Sequence, residues 1–342
     1  MKKQHDTRKK HARHRSIIRQ HRKTQRKQRG GIKCNEPTTW TPFSYSDNSC
    51  WLDTFLLAFL HHPSEVIDEY LSHASEHIET MKPHINNSTN LNAIKQHEII
   101  LQRLLKIRTR LRQTFNTPAT GQALARIREN IRTALSTCPT GIKFEKGKMS
   151  STAEIFEFLT DILDLPRTIR YVEKQGNSPQ KDGYMHSITL SGFDIRNMGE
   201  ILLSNILTKV KKHIDERHPE RSIKMQYKRF GDIVPINIER DDYQGGVIQT
   251  PVIPEEYISL KTSANAYDSY RLVSITCNVG AHFVTYIACD ATESWLFYND
   301  LNPPSERIQD VGHLADWWGN EIPGYRDKYP PTHSTWLLYV KI

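Results

Sequence analysis

The chain of 342 residues has only five cysteines, Cys34, Cys50, Cys138, Cys277 and Cys289, and no two of them form a CxxC pair. A structural zinc held by cysteine needs such pairs, so none is expected. An odd, scattered set points to free thiols in a reducing compartment rather than to a disulfide framework. Long apolar runs are scarce as well. The longest, FLLAFL at 55–60, falls far short of the roughly 20 residues that span a bilayer, and no apolar core of a signal peptide lies near the start. The expectation is a soluble intracellular protein, cytoplasmic or nuclear, with no membrane partner. Sixteen histidines are present, but four sit in the N-terminal segment and His61-His62 lack a His-x-x-x-His partner, so neither a metal nor another cofactor is expected.

Acidic residues are almost missing from one segment. Residues 1–33 hold 14 of the 47 Lys+Arg and one of the 38 Asp+Glu, Asp6, so the remaining chain carries 33 bases and 37 acids. The formal net charge of +9 therefore joins a basic leader to a mildly acidic body. With two adjacent isoleucines as its only large apolar residues before Ile32, the leader builds no core and is expected to be disordered alone. It reads as a nucleic-acid-binding arm or a signal for an import receptor, against the plainer reading of a solvated tail. Residues 34–342 form the globular body.

Within the body, NSCWLDTFLLAFLHHP (48–63) reads as one helix, capped by Asn48 or Ser49 and closed by Pro63. Helical periodicity continues at 99–115 and 123–135, and another helix is expected at 151–163. After Pro166 the texture turns to strands at 168–174, 185–192 and 232–240, interrupted by a helix near 200–213. The end is richest in strands, at 270–280, 282–290, 294–300 and 334–342. The fold class is thus α+β, with a helical lobe over about 46–165 and an antiparallel β lobe over about 166–342.

Cys50 falls in the first turn of its helix, where the macrodipole and unpaired N–H groups lower a thiol pKa; the plainer reading is a small buried cysteine. His282 opens a strand, and Asn299-Asp300 closes the next one. An antiparallel pair of that length brings the start of the first beside the end of the second. One imidazole nitrogen then meets Asn299 and the other faces a thiol, the arrangement a cysteine nucleophile needs.

These residues resemble the ubiquitin-specific proteases, papain-like cysteine peptidases that remove ubiquitin. The family's first box, Asn-x-Cys-[aromatic]-x-[Asn/Asp]-[Ser/Thr], is matched by Asn48-Ser49-Cys50-Trp51-Leu52-Asp53-Thr54. Its last box is similar to Ala281-His282-Phe283-Val284-Thr285-Tyr286 followed by Trp295-Leu296-Phe297-Tyr298-Asn299-Asp300. A Gln-Asp-Ala-x-Glu-Phe helix is matched more loosely by 153–159, AEIFEFL. There Glu154 and Glu157, three apart and so on one helix face, offer two carboxylates to arginines of the ubiquitin tail, against the plainer reading of a solvated acidic face. The resemblance covers about residues 47–342 and is strong at the two ends. It is compatible with a viral or other rapidly diverging member.

The resemblance implies a papain-like fold with a helical thumb, a β palm and fingers that are reduced or zinc-free. It also implies hydrolysis of the bond after the terminal glycine of ubiquitin, with ubiquitin or ubiquitinated proteins as partners. Cys50 would be the nucleophile, His282 the general base and acid, and Asn299 the residue orienting the imidazole, with Asp300 as its substitute or as a group polarising a water. The family's usual oxyanion-stabilising Asn, five residues before the cysteine, is Tyr45 here, which leaves Asn48 or the Cys50 backbone N–H as donor. Trp51, Phe283 and Trp295 are candidates for lining or bracing the channel of the Gly-Gly tail, with core packing as the alternative. Two other activities stay open: a protease for SUMO or Nedd8, and a catalytically weak ubiquitin-binding scaffold with a nucleic-acid-binding leader.

Overall fold

A computed structural model describes residues 43–62, 64–82, 88–112, 119–137, 144, 148, 150–192, 195, 201–208, 211–213, 223–241, 246–261, 266–289 and 294–342. The basic leader, Cys34 and Cys138 lie outside them.

Helices come first in the chain. Helix α1 (Cys50–Leu60) is buried along its whole length, as a helix apolar on nearly every side must be. It is followed by α2 (Glu65–Met81), α3 (Ser88–Arg112), α4 (Ala119–Thr137) and α5 (Thr152–Ile162). Ser64 caps α2 by accepting the Val66 N–H at 3.2 Å. The α1 end is closed from α3: Arg108, 2% exposed, donates to the carbonyls of Leu60, His62 and Ser64 and pairs with Asp68. Carbonyls that a helix C-terminus leaves without partners are thereby satisfied.

Strands follow: β1 (Ile169–Gln175), β2 (Lys181–Met185), β3 (Ile188–Leu190), β4 (Ile201–Leu202), then the short α6 (Leu203–Thr208), β5 (Lys211–His213), β6 (Ile223–Arg229), β7 (Ile233–Ile238), β8 (Val252–Ile253), β9 (Tyr257–Lys261), β10 (Tyr267–Asn278), β11 (Phe283–Ala288), β12 (Trp295–Tyr298), β13 (Ile308–Gly312), the short helices α7 (Leu314–Trp317) and α8 (Pro330–His333), and β14 (Ser334–Lys341). The main sheet runs β13-β12-β11-β10-β14-β7-β3, with β9 also paired to β10. A second sheet runs β2-β1-β6-β5.

Period-2 alternation in the central strands divides the core. On β14, Trp336, Leu338 and Val340 join the cluster under the helices, while Leu337 and Tyr339 face a second cluster on the opposite side. On β11, Phe283 and Ile287 take the helical side, and Val284, Tyr286 and Ala288 the other. Helix α1 packs directly on β11 and β10, so the helix that begins with Cys50 and the strand that follows His282 share one apolar interface. Each fully buried Leu or Phe there contributes roughly 1.5–3 kcal/mol.

Several expectations need correction. The helix expected near 200–213 shrinks, among the described residues, to α6, flanked by short β4 and β5; the β-branched and polar residues around it pair as strands instead. The run at 185–192 divides between β2 and β3. The main sheet is not wholly antiparallel, because β3 pairs β7 in parallel. Cys50 and Cys277 are free, but Cys289 is disulfide-bonded, contrary to the all-thiol expectation.

Candidate active site

Two left-handed residues, Asp47 (φ 51°) and Asn48 (φ 57°), turn the chain into α1. Such a conformation costs energy for residues other than glycine and persists where surrounding bonds hold it. Here α4 supplies them. Arg132 donates to the carbonyls of Ser46 (3.1 Å) and Asp47 (2.8 Å), and Arg128 to that of Ser44 (2.9 Å). Ser49 occupies the cap position but makes no side-chain cap bond, contrary to expectation. Its hydroxyl instead donates to Asp53 Oδ2 at 2.7 Å and accepts the Ser46 N–H at 3.1 Å.

Cys50 is 1% exposed, and the Phe283 backbone N–H acts on its thiol to lower the pKa. Burial pushes that thiol up to about 11, outweighing the Phe283 bond; the carboxylates of Asp300 and Asp53 push the same way. The low pKa expected from the helix N-terminus is therefore overturned for the resting protein. Desolvation is the largest cause of the upward shift.

His282 is adjacent in the chain to Phe283. The β10–β11 turn is pinned by the Asn278 side chain accepting the Gly280 N–H at 2.9 Å, with Gly280 at φ +115°, and by the Val279 N–H to the His282 carbonyl at 2.9 Å. His282 then precedes β11 and Asn299 follows β12, with Thr285 opposite Tyr298 in the register. His282 Nε2 lies 3.0 Å from Asn299 Oδ1 and 3.3 Å from Asp300 Oδ1. The Asn299 amide is oriented on both sides: Oδ1 accepts the Leu301 N–H (3.1 Å), while Nδ2 donates to Asn302 Oδ1 and the Tyr325 hydroxyl, each at 3.2 Å. An Oδ1 acceptor places the proton on Nε2 and leaves Nδ1 as the basic nitrogen. Burial lowers the His282 pKa, and the Asn299 bond partly restores it.

Behind this pair lies a buried charge network. Asp53 Oδ2 meets Arg128 Nη1 at 2.6 Å, with Asp53 0% and Arg128 1% exposed. Among the described residues, neither Asp53 Oδ1 nor either Asp300 oxygen accepts from an ordinary N–H or O–H donor. The Asp53 and Asp300 carboxyls instead act on each other's protonation. Burial first, then the Asp53 charge, pushes Asp300 up to about 8. Burial raises the Asp53 pKa as well, but Arg128 opposes it, so Asp300 is the member of the pair favoured to hold a proton and Asp53 the partner of Arg128.

Tyr45, at the position expected to hold an asparagine, donates from its hydroxyl to Asn48 Oδ1 at 2.6 Å. The Asn48 amide is thereby turned with its acceptor towards Tyr45 and its NH2 group elsewhere. Tyr45 and Tyr325 flank the His282 ring, at centroid distances of 6.4 Å edge-on and 6.2 Å stacked.

The carboxylates of α5 already have partners. Glu154 closes a capping box, accepting from the Ser151 N–H (2.9 Å) and the Ser150 hydroxyl (2.6 Å). Glu157 accepts from the Ser187 hydroxyl at 2.8 Å, across to the segment before β3. Trp51, Phe283 and Trp295 are at most 4% exposed. Trp51 stacks on Phe144 and Trp295 packs edge-on against Trp317, so both brace the core rather than line a channel. Trp295 sits at the opposite end of β12 from Asn299 and does not join the site. A cavity of about 310 Å³ lies beside the histidine turn, lined by Asn278, Gly280, Arg240, Lys328 and His333 among others.

No protein-family model and no curated protein sequence matches the chain. Solved structures do. A SAGA DUB module of Ubp8, Sgf11, Sus1 and Sgf73 bound to monoubiquitin matches with a TM-score of 0.57 at 11% identity, over 96% of this chain and 75% of that one. The Ubp8, Sgf11, Sus1 and Sgf73 module bound to ubiquitin aldehyde gives 0.57 at 10% identity, over 91% and 71%. A yeast SAGA module gives 0.54 at 11%, over 91% and 68%. These neighbours lend no support to a viral source. With sequence identity this low they speak to architecture alone, and on that ground the chain has a divergent fold of the ubiquitin-specific-protease kind.

Proposed function

We propose that the chain is a deubiquitinating cysteine protease that hydrolyses the isopeptide or peptide bond after the C-terminal glycine of ubiquitin. The observation that carries this reading is the 3.0 Å contact of His282 Nε2 with Asn299 Oδ1, at the start of the β11 strand on which the Cys50 helix packs. Ubiquitin as the substrate rests on the fold neighbours described as bound to monoubiquitin or ubiquitin aldehyde.

In this mechanism His282 Nδ1 takes the Cys50 proton as the sulfur attacks the glycine carbonyl. The imidazolium so formed faces the oxygens of Asn299 and Asp300. The Asn48 NH2, turned by Tyr45, and the Cys50 backbone N–H are the donors for the oxyanion. The imidazolium next protonates the leaving lysine amine, and water then releases ubiquitin from the thioester with His282 as base. Glu157 exchanges its Ser187 partner for an arginine of the tail, while Glu154 remains the helix cap.

The test is hydrolysis of fluorogenic ubiquitin, SUMO and Nedd8 substrates by the full chain, with Cys50→Ala as control. Cleavage of the ubiquitin substrate that depends on Cys50 supports the reading. Preference for SUMO or Nedd8 overturns the choice of modifier, and binding of ubiquitin without cleavage of any substrate points to a scaffold.

For residues 1–33 we propose a separate role in holding nucleic acid or an import receptor by charge. Nucleic-acid affinity that ignored both salt and deletion of 1–33 would remove the nucleic-acid role.

A further inference from the structure

We propose that Tyr325 is a positioning residue of the His282–Asn299 pair, acting from a loop that neither sequence box contains. The inference rests on the cysteine-hydrolase reading of the same site and adds to it a residue which that reading does not require.

The loop between α7 and α8 is held closed at its base by the Ile322 N–H to the Lys328 carbonyl (2.7 Å). Inside it the Tyr325 N–H bonds the Ile322 carbonyl (2.9 Å), and Ile322 itself is 1% exposed. Gly324, at φ +82°, supplies the turn that a side-chain-bearing residue rarely adopts. The Asp327 N–H is bound by the Glu321 carboxylate at 2.9 Å. Tyr325 thus projects from a braced loop. It meets the site twice: its hydroxyl accepts Asn299 Nδ2 at 3.2 Å, and its ring lies over the His282 ring at 6.2 Å with an interplanar angle of 22°.

These contacts solve a specific problem. An asparagine amide has two chemically opposite ends of equal size, and only one of them suits an imidazole N–H. Were Asn299 to flip, Nδ2 would face Nε2–H, donor against donor, and the imidazolium would lose its acceptor. Leu301 N–H and Asn302 Oδ1 also hold the amide, but both lie within three residues of it in the chain. Tyr325 supplies the restraint from a distant segment, and its ring covers one side of the imidazole. The other groups in contact with His282 are Tyr45, Asn299 and Asp300, with Asp53 acting on Asp300.

The test compares Tyr325→Phe, which keeps the ring and removes the hydroxyl, in wild-type and Asn299→Asp backgrounds. Loss of one hydrogen bond corresponds to roughly a three- to tenfold fall in kcat/KM on the ubiquitin substrate, carried by kcat with KM unchanged. In the Asn299→Asp background the same change should have no effect, because a carboxylate presents an oxygen whichever way it turns. A loss of equal size in both backgrounds, or none in wild type, overturns the proposal.

A second readout does not depend on any substrate. Iodoacetamide alkylation of Cys50, followed by mass spectrometry across pH, reports the thiolate that His282 supports. Tyr325→Phe should slow it roughly three- to tenfold at neutral pH and leave it unchanged in the Asn299→Asp background. If wild type cleaves no ubiquitin-like substrate, the proposed function falls, while this alkylation profile still decides the role of Tyr325. An unaltered profile would refute it.

Discussion

Replacing Arg128 by Met should destabilise the protein by about 3–5 kcal/mol, because it breaks a buried ion pair from one side only. Arg128 and Asp53 are 1% and 0% exposed and lie 2.6 Å apart, and Arg128 also donates to the Ser44 carbonyl and the Ser49 hydroxyl. Without the guanidinium, Asp53 must stay charged with no counter-ion or take up a proton beside the already protonated Asp300. Urea denaturation at pH 7.5, comparing midpoints at constant m, measures the loss. Asp53→Asn in the same background should recover most of it, since a buried amide needs no counter-ion. The reasoning fails if Arg128→Met costs under about 1 kcal/mol, or if Asp53→Asn adds to the loss instead of offsetting it.

Asp300 gives a pH signature. Its folded pKa is raised to about 8 by burial and the Asp53 charge, so its contribution to stability is complete below the unfolded carboxylate pKa of about 4 and is lost as pH rises through about 8. The slope approaches about 1.4 kcal/mol per pH unit for one proton, and Asp300→Asn should flatten it in urea titrations from pH 5 to 8. Tyr45→Phe should lower kcat by about tenfold and Asn48→Ala by roughly 100-fold or more, with the double variant no worse than Asn48→Ala alone; additive losses would separate Tyr45 from the oxyanion. The two α5 carboxylates should behave differently. Glu154→Ala is expected to cost about 0.5–2 kcal/mol of stability with KM unchanged, while Glu157→Ala raises KM for ubiquitin substrates without unfolding the helix.

The order of helices and strands was legible because periodicity is local: the buried α1 run and the alternating β10, β11 and β14 runs declare themselves in the residue pattern. So was the meeting of His282 and Asn299, which follows from two strands and a turn. Arg128 left a signal that went unread. It stands at an apolar-stripe position of α4, beside Leu124, Ile127 and Ile131, where a charge implies a buried partner. Tyr325 left none, because its loop reaches the site only through tertiary packing. The Cys50 pKa misled for a related reason: helix position is local, whereas desolvation depends on everything packed around the thiol. The segment at 200–213 misled because strand pairing with distant residues overrode its helical pattern.

The most direct measurement is adduct formation by the full chain with ubiquitin carrying a C-terminal electrophile. The account predicts a single covalent adduct, mapped by mass spectrometry to the peptide containing Cys50, absent in Cys50→Ala and much slower in His282→Ala. An adduct on Cys277, or none at all under conditions where the protein is folded, would contradict it.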